Sequence, residues 1–381
     1  MSRRRIPGVR GSVLIVVLVT LMFAAFALVT FVEKASVDLL VESREASARR
    51  LRQQAYSSLE VTLAVLQDFS LVDGGLRSPA EGWNDPLAFA GWSPAEGCTA
   101  EVTFDDESGK ISLAHVDAAT LIDLFRAWDL SQYDAEKLTD ALLSWMRKDY
   151  VPTGSLSPDY DHVTLPYVVP VRSLRSFSEL AAIEYAREVF YDKEGRPNEL
   201  WRRFAATFSL FDFKQPNLNA ARPDVLTALG AYDTQQQQQL SDYLGGTGAF
   251  THQGPGFFKS TADAAGVLGA NAVPAGFGTT ISALRINITI HQGRSQFRLT
   301  AVIAPPGGAT TVPPMQTPTD PSASATSTQT PAANPAANAG TNANAASGAA
   351  ASDKKLNYPF TLLEIGENVE MPTAPVPPPQ A

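Results

Sequence analysis

Apolar positions near the start of the chain form one unbroken run that then changes into a helical stripe. Residues 13–32 carry no charge, and roughly 20 apolar residues in a helix span ~30 Å, the thickness of a bilayer core. Neither glycine nor proline interrupts residues 12–73. The pattern therefore predicts one helix with a membrane-spanning half (12–32) and a soluble half (33–73), whose apolar stripe packs on a folded domain. The stripe comprises Ala48, Leu51, Ala55, Leu59, Leu63 and Leu66.

Alternation of apolar and polar positions, which is typical of strands, returns later in the chain. It is found in residues 99–104, 110–113, 284–290, 296–303 and 358–365. The first two segments predict a β-hairpin within residues 74–114, and the next two predict a second hairpin within residues 279–304. The last predicts a returning strand within residues 353–371. Its Pro359 favours a sheet edge, and Phe360, Leu362 and Ile365 are expected on the sheet face.

The interval between the two hairpins, residues 115–278, has the periodicity of helices. Asp117 precedes one periodic segment as an N-cap, while Pro223 and Gly230 lie at the start and end of another. The pattern predicts an α+β fold in which the long N-terminal helix packs on an antiparallel sheet and a large α-helical domain is inserted between strands. Residues 305–352 are rich in Pro, Ala, Thr, Ser, Asn and Gly. They predict a disordered loop, and proline-rich residues 372–381 predict a disordered tail.

Charge, cysteine content and histidine spacing narrow the classes of function. The formal net charge is -9, which disfavours binding to nucleic acid through bulk electrostatics. Cys98 is the single cysteine, so neither an intrachain disulfide nor a thiolate metal cluster can form. The four histidines fit no metalloenzyme spacing, and no Gly-x-Ser-x-Gly or phosphate-binding glycine loop is present. The sequence therefore predicts no catalytic site.

A basic leader, residues 1–11, ends in glycine directly before the apolar run. This arrangement resembles type IV pilin-like proteins, in which a prepilin peptidase cuts after the glycine and methylates the new N-terminus. The resemblance implies cleavage between Gly11 and Ser12 and N-methylation of Ser12. A signal anchor, or a secretion signal cleaved near Ala24–Ala27, is the alternative. The leader arginines favour a cytoplasmic N-terminus, with the rest of the chain outside the cytoplasm. Together with this orientation, the resemblance implies a single-pass inner-membrane protein with its C-terminal domain in the periplasm.

Three further stretches are similar to a narrower family. They are Glu107–Leu113, Arg172–Leu180 and Asn217–Leu226. Their order between a pilin-like helix and returning strands resembles the K-type minor pseudopilin of type II secretion systems. Most pilins and pseudopilins carry a glutamate at mature position five, where it pairs with the N-terminal ammonium of a neighbouring subunit. Counted from Ser12, that position is Val16, and the K-type family is known for lacking this glutamate.

The resemblance implies a non-enzymatic subunit at the pseudopilus tip, which helps to initiate assembly and the export of folded proteins across the outer membrane. Its implied partners are the I- and J-type minor pseudopilins, the major pseudopilin, the prepilin peptidase and the inner-membrane assembly platform. Calcium is the one cofactor that it suggests, because homologues can bind this ion. Of the family's acidic stretch only Asp149 remains, with Asp159 and Asp161 downstream, and Arg147 and Lys148 would oppose a cation.

Other functions stay open at this stage. A minor pilin of a type IV pilus would share the leader and the helix. Asn217–Ala220 also resembles helix-hairpin-helix modules of DNA-uptake proteins, although Gly230 is followed by no glycine-rich hairpin or basic cluster. A membrane-anchored enzyme is a further class. At a pseudopilus tip, lateral contacts are expected along the helix, chiefly through Leu51, Ala55 and Leu59 where the protein's own sheet does not cover them.

The leader generates a prediction about processing. We expect the membrane-bound protein to begin at methylated Ser12, and Gly11→Ala to slow cleavage, because the peptidase must accommodate residue 11. N-terminal sequencing and intact mass check this outcome. A mature N-terminus near Ala27, or an uncleaved Met1, would contradict the pilin-like interpretation.

Overall fold

The protein, described here by a computed structural model, has an α+β fold, as expected. The structure describes residues 12–154, 160, 167–230, 232–269, 276–311 and 359–368, so the predicted leader and tail lie outside it. Its helices are α1 (Ser12–Asp73), α2 (Pro86–Phe89), α3 (Ala118–Ala127), α4 (Gln132–Met146), α5 (Glu184–Phe190), α6 (Glu199–Thr207), α7 (Pro223–Val225), α8 (Thr234–Gly245) and α9 (Ala265–Leu268). The strands are β1 (Thr99–Asp106), β2 (Ile111–Ser112), β3 (Phe208–Ser209), β4 (Leu284–Gln292), β5 (Ser295–Ala304) and β6 (Thr361–Glu367).

Helix α1 is continuous from the apolar run into the folded domain, as its uninterrupted sequence predicts. Its soluble half packs on one face of a four-stranded sheet with the order β1-β4-β5-β6. Leu51, Ala55 and Leu59 are buried there together with Ile286 and Ile288 of β4. Because side chains in a strand alternate between faces, every second residue of β4 reaches this helix. The α1–sheet contact is one of the hydrophobic cores of the protein.

The prediction of a β-hairpin within residues 74–114 is wrong. Strand β1 pairs antiparallel with β4, from Thr99↔His291 to Asp106↔Leu284, and residues 110–113 do not pair back on it. Instead, Glu107–Gly109 forms a tight helical turn, and β2 pairs parallel with β3. Asp106 caps this turn by accepting a hydrogen bond from the Ser108 backbone, which directs the chain away from the sheet. A distant strand with a matching apolar face therefore replaces the local partner of β1.

The other two strand predictions agree with the structure. Strands β4 and β5 form an antiparallel hairpin, and its turn contains Gly293 with a positive φ of 59°. Strand β6 returns antiparallel to β5 at the sheet edge. Of the side chains expected on the sheet face, Phe360 is buried, whereas Leu362 and Ile365 are 50% and 43% exposed. An edge strand has neighbours on one side alone, so its apolar residues are less completely covered.

A helical block lies between β1 and β4 in sequence and has a core of its own. Helices α3 to α6 pack around Phe125, Phe190 and Phe204, all of which are fully buried. Asp117 caps α3 as predicted, and its Oδ1 accepts a hydrogen bond of 2.7 Å from the Thr120 backbone. A smaller apolar cluster joins the block to the sheet face opposite α1. It consists of Phe211, Phe213, Ala283, Val302, Ala304 and Ala309.

Part of the predicted low-complexity loop is built into this contact. Asp212 and Thr310 exchange two backbone hydrogen bonds of 2.9 Å, and Ala309 is buried in the cluster. The expectation of disorder from residue 305 onward is therefore wrong for residues 305–311, because backbone bonds and one small apolar side chain hold them against the block. Residues 312–352 lie outside the described part of the chain, so that part of the expectation stays a prediction.

The position of β6 generates a prediction about stability. Removing residues 316–350 should change the free energy of unfolding by about 1 kcal/mol at most, because loop-closure entropy depends only logarithmically on length. Removing residues 359–368 should cost on the order of 3 kcal/mol, mainly through loss of the buried Phe360 side chain. Thermal melts of the two variants, in detergent and with the full chain as reference, compare these costs. Equal melting temperatures for the two variants would show that β6 contributes nothing.

Candidate functional site

The N-terminal half of α1 projects from the folded body with its apolar side chains uncovered. Residues 14–32 are all exposed, and the most apolar window has a mean hydropathy of 2.8. Within the described residues, α1 is the one helix long and apolar enough to cross a membrane. Val16 is 61% exposed.

Lateral contacts were expected through Leu51, Ala55, Leu59 and their neighbours where the protein's own sheet leaves them uncovered, and the three named residues do not meet that condition. These side chains are 3%, 0% and 5% exposed, because the protein's own sheet covers them. Ahead of the stripe, Val37, Leu39, Leu40 and Val41 are 50–66% exposed, and Leu71 and Val72 are exposed at the C-terminal end of the helix. We call the first four of these residues the α1 patch.

The amino-acid sequence does indicate the α1 patch, although the patch is not part of the apolar stripe that begins at Ala48. Val37, Leu40 and Val41 have i, i+3 and i+4 spacing, which places them on one face of the helix. Glu33 and Lys34 separate the patch from the apolar run. A helical face that is apolar, lies outside the membrane run and is not covered by its own domain is suited to binding another helix.

Two of the family-like stretches meet at a junction between the sheet and the helical block. The backbone N–H of Asn217 donates to the Ser108 carbonyl at 2.7 Å. The Asn217 side-chain amide donates to the Arg77 carbonyl at 2.9 Å and to Asp106 Oδ2 at 2.7 Å. This asparagine thus ties together the loop after α1, the end of β1 and the helical block.

The second asparagine of the same stretch, Asn219, connects distant segments of the helical block. Asn219 Nδ2 donates to the carbonyls of Phe258 and Thr279, both at 3.0 Å, and its Oδ1 accepts from the Phe258 backbone at 2.7 Å. At Gly109, an added Cβ would lie 2.4 Å from the Ala220 carbonyl oxygen, so glycine is required for the close approach. The Asn-x-Asn-Ala stretch is therefore accounted for by its role in the fold.

Side chains of the third family-like stretch, Arg172–Leu180, also form hydrogen bonds that stabilise the local fold. Glu179 accepts from Arg172 Nη1 at 3.1 Å and from the Arg175 backbone at 3.0 Å. Ser176 caps the short helix Phe177–Ala182. These contacts fix the loop that enters α5. The residues on which the family resemblance rests thus stabilise the fold of the helical block.

Three charged side chains are buried where the block meets the sheet. Glu107 accepts from Arg285 Nε at 2.7 Å and from Lys110 Nζ at 3.0 Å, and all three residues are under 9% exposed. Burial opposes ionisation of Glu107, but the two cations outweigh it and lower the pKa of its carboxyl. Losing one partner of such a buried pair costs on the order of 3–5 kcal/mol. The pairs join β4 to the turn after β1.

The pKa of Asp106, which lies beside this cluster, is shifted in the opposite direction. Burial raises the pKa of its carboxyl to about 7, and nearby Asp105 adds to the rise. Hydrogen bonds from Ser108 and Asn217 oppose the shift but do not cancel it. Asp106 therefore titrates near neutral pH at the junction between the sheet and the block.

The structure describes one of the three predicted calcium ligands. Asp149 is exposed, while Asp159 and Asp161 lie outside the described residues. No group of His, Cys, Asp and Glu that could hold a metal ion occurs in the described ranges. Arg147 donates to the Val116 carbonyl at 2.5 Å, so this cation is directed at the start of α3. One carboxylate defines no coordination geometry, and calcium binding stays a prediction.

The acidic residue preceding this loop has a different role. The Asp140 carboxylate accepts hydrogen bonds from Tyr150, Thr153 and Gly154 at 2.6–3.1 Å. These donors occupy its lone pairs and hold the loop after α4. Of the histidines, His115 contacts Asp212 at 2.6 Å on the exposed surface, a partner that the sequence did not indicate. The side chains of His252 and His291 form no hydrogen bond with another described residue, and His162 lies outside the described residues.

Comparison with known proteins agrees with the family that the sequence resembles. Residues 105–193 match the family model of type II secretion system protein K. The fold is similar to a chain of the GspK-GspI-GspJ complex from the type 2 secretion system of enterotoxigenic Escherichia coli, with 16% sequence identity and a TM-score of 0.48. That similarity covers 71% of this chain and 97% of the other. No curated protein matches the chain in sequence. The family model thus confirms the K-type resemblance over residues 105–193.

The pKa of Asp106 generates a prediction about pH. The folded value of about 7 exceeds the ordinary value of 3.8, so the folded chain holds this proton after the unfolded chain has released it. The resulting stabilisation is complete below about pH 4 and is lost as the pH rises through about 7. Asp106→Asn removes this titration. The stability of wild type relative to Asp106→Asn should therefore fall by a few kcal/mol between about pH 4 and about pH 8.

Chemical denaturation of both proteins across this pH range measures the difference in the free energy of unfolding. The asparagine changes the contact with Asn217, so a constant offset between the two proteins is expected and is uninformative. An offset that does not vary with pH at all would show that Asp106 is already ionised in the folded protein at acidic pH.

Proposed function

We propose that this chain, whose residues 105–193 match type II secretion system protein K, is the non-enzymatic minor pseudopilin at the tip of the pseudopilus. In this role it helps to initiate pseudopilus assembly and the export of folded proteins across the outer membrane. The observation that carries the proposal is the helical block inserted between β1 and β4.

The block makes the subunit suited to an end position. It occupies most of the interval between Asp106 and Leu284 and packs around its own core. In a shaft, subunits rise past one another along their N-terminal helices at close spacing, so each step would have to accommodate this volume. A terminal subunit has no neighbour above it, and there the volume is not a constraint. Val16 supports the same position, since a subunit at the tip has no ammonium above it to pair with.

The α1 patch is the surface proposed to bind the partners. It lies between the membrane run and the stripe that the sheet covers, where helices of adjacent subunits would run side by side. We propose the I- and J-type minor pseudopilins as lateral partners and the major pseudopilin as the subunit added beneath them. The prepilin peptidase and the inner-membrane assembly platform act on the anchored helix, with the folded domain in the periplasm.

Site-specific cross-linking tests this arrangement. A photo-reactive residue in place of Leu40, which is 59% exposed, should cross-link to the I- or J-type minor pseudopilin in the membrane. The matched control replaces Leu59, which lies farther along α1 and is 5% exposed. Its cross-links should stay within the chain, because the sheet covers it.

Mass spectrometry identifies the cross-linked partner and distinguishes the alternatives. Cross-links from position 40 mainly to other copies of the same chain, in a repeating register, would identify a shaft subunit and contradict the tip proposal. Cross-links to type IV pilus subunits would contradict the secretion assignment.

A further inference from the structure

A cleft lies on the sheet face opposite α1. Alternate residues of β1, β4 and β5 form its polar floor, and Phe177, Trp201 and Leu210 of the helical block form an apolar wall. The cleft encloses about 1060 Å³, at the upper end of the ~300–1,000 Å³ typical of ligand pockets. It is open to solvent along one side and large enough for a short extended peptide.

The charge of the cleft is opposite to that of the chain as a whole. Six basic side chains and three acidic side chains line it, so the lining has a formal charge of 6 - 3 = +3, whereas the chain carries -9. The basic side chains are Lys110, Arg175, Arg202, Arg222, Arg285 and Arg298. A positive surface inside an acidic protein attracts anionic partners and selects against cationic ones.

The inner cations are matched by the three cleft carboxylates. Besides the pairs with Glu107, Lys110 Nζ lies 3.6 Å and Arg222 Nη2 lies 3.3 Å from Asp105. Arg285 Nη2 lies 3.8 Å from Glu364. Arg285 Nη1 is buried and has no hydrogen-bond acceptor among the described residues. One donor group beneath the floor of the cleft therefore has no acceptor among the described residues.

The cations at the mouth of the cleft account for the excess charge. Arg202 pairs with Glu199, which is not part of the lining. Arg298 is exposed and forms no ion pair with any residue that the structure describes. It projects from the polar face of β5, next to Thr289 of β4 in the strand register. The combination of a polar floor, an apolar wall and cations at the mouth fits a ligand with both carboxylates and apolar side chains.

We propose that this cleft binds an extended segment of a partner protein in which acidic and apolar residues alternate. The carboxylates of the segment pair with Arg202 and Arg298, and its apolar side chains lie against Phe177, Trp201 and Leu210. Alternation suits an extended peptide because its successive side chains point in opposite directions. The proposal concerns a different surface from the α1 patch and does not depend on the position of the chain in the pseudopilus.

Fluorescence anisotropy with the full chain in detergent tests the proposal. The probe is a fluorescein-labelled octapeptide of alternating Glu and Leu, and the same peptide with Lys in place of Glu is the reference. The Glu-Leu peptide should bind more tightly than the Lys-Leu peptide, and its binding should weaken at high salt. Arg202→Glu combined with Arg298→Glu should weaken it by at least about tenfold, because each substitution replaces an attractive charge by a repulsive one.

A matched control separates the cleft from bulk charge. Arg294→Glu, in the turn of the same β4–β5 hairpin but outside the lining, should leave the affinity for the Glu-Leu peptide unchanged. Arg298→Lys should retain binding, since it keeps the charge. Melting temperatures show whether each variant is folded. Absence of binding by the folded wild type, equal binding of both peptides, or equal weakening by Arg294→Glu would each overturn the proposal.

Discussion

The packing of one face of α1 on the sheet is the contact on which the rest of the structure depends. The same helix provides the apolar run and, through Leu51, Ala55 and Leu59, one side of a hydrophobic core. Burial of this stripe contributes about 25 cal/mol per Å² of apolar surface and holds the helix to the body of the protein. It also removes the stripe from any partner. The proposed partners could therefore contact α1 only where the sheet does not cover it.

The opposite face of the sheet is joined to the block by specific polar contacts as well as by apolar packing. Asn217 links three segments that are distant in sequence, and the Glu107–Arg285 pair connects the turn after β1 with β4. A buried amide or charge is costly unless it is paired, so these contacts specify one relative position of the block and the sheet. That position leaves part of the polar sheet face open, and the cleft is the result.

The family resemblance acquires a physical explanation from these contacts. Gly109, Asn217, Asn219 and Glu179 all belong to the stretches that carried it, and each has a geometric role. Gly109 permits a backbone approach that a side chain would block, and the asparagines and the glutamate satisfy backbone groups that a loop would otherwise leave unpaired. The stretches that carry the resemblance are therefore those that hold the helical block together and fix its position on the sheet. The same insertion is the observation on which the proposed tip position rests.

The sequence by itself determined the elements whose signals are local. The uninterrupted residues 12–73 specified α1, strict alternation around Gly293 specified the β4–β5 hairpin, and Asp117 marked the start of α3, because period, turn chemistry and capping act over a few residues. Only the tertiary structure decided that β1 pairs with β4 and not with residues 110–113, and that Leu51, Ala55 and Leu59 face the protein's own sheet. It alone placed Arg298 and Arg202 on two sides of one cleft. These outcomes depend on segments that are distant in the sequence, or on which of two possible surfaces covers an apolar face. The packing of the whole chain decides between such alternatives.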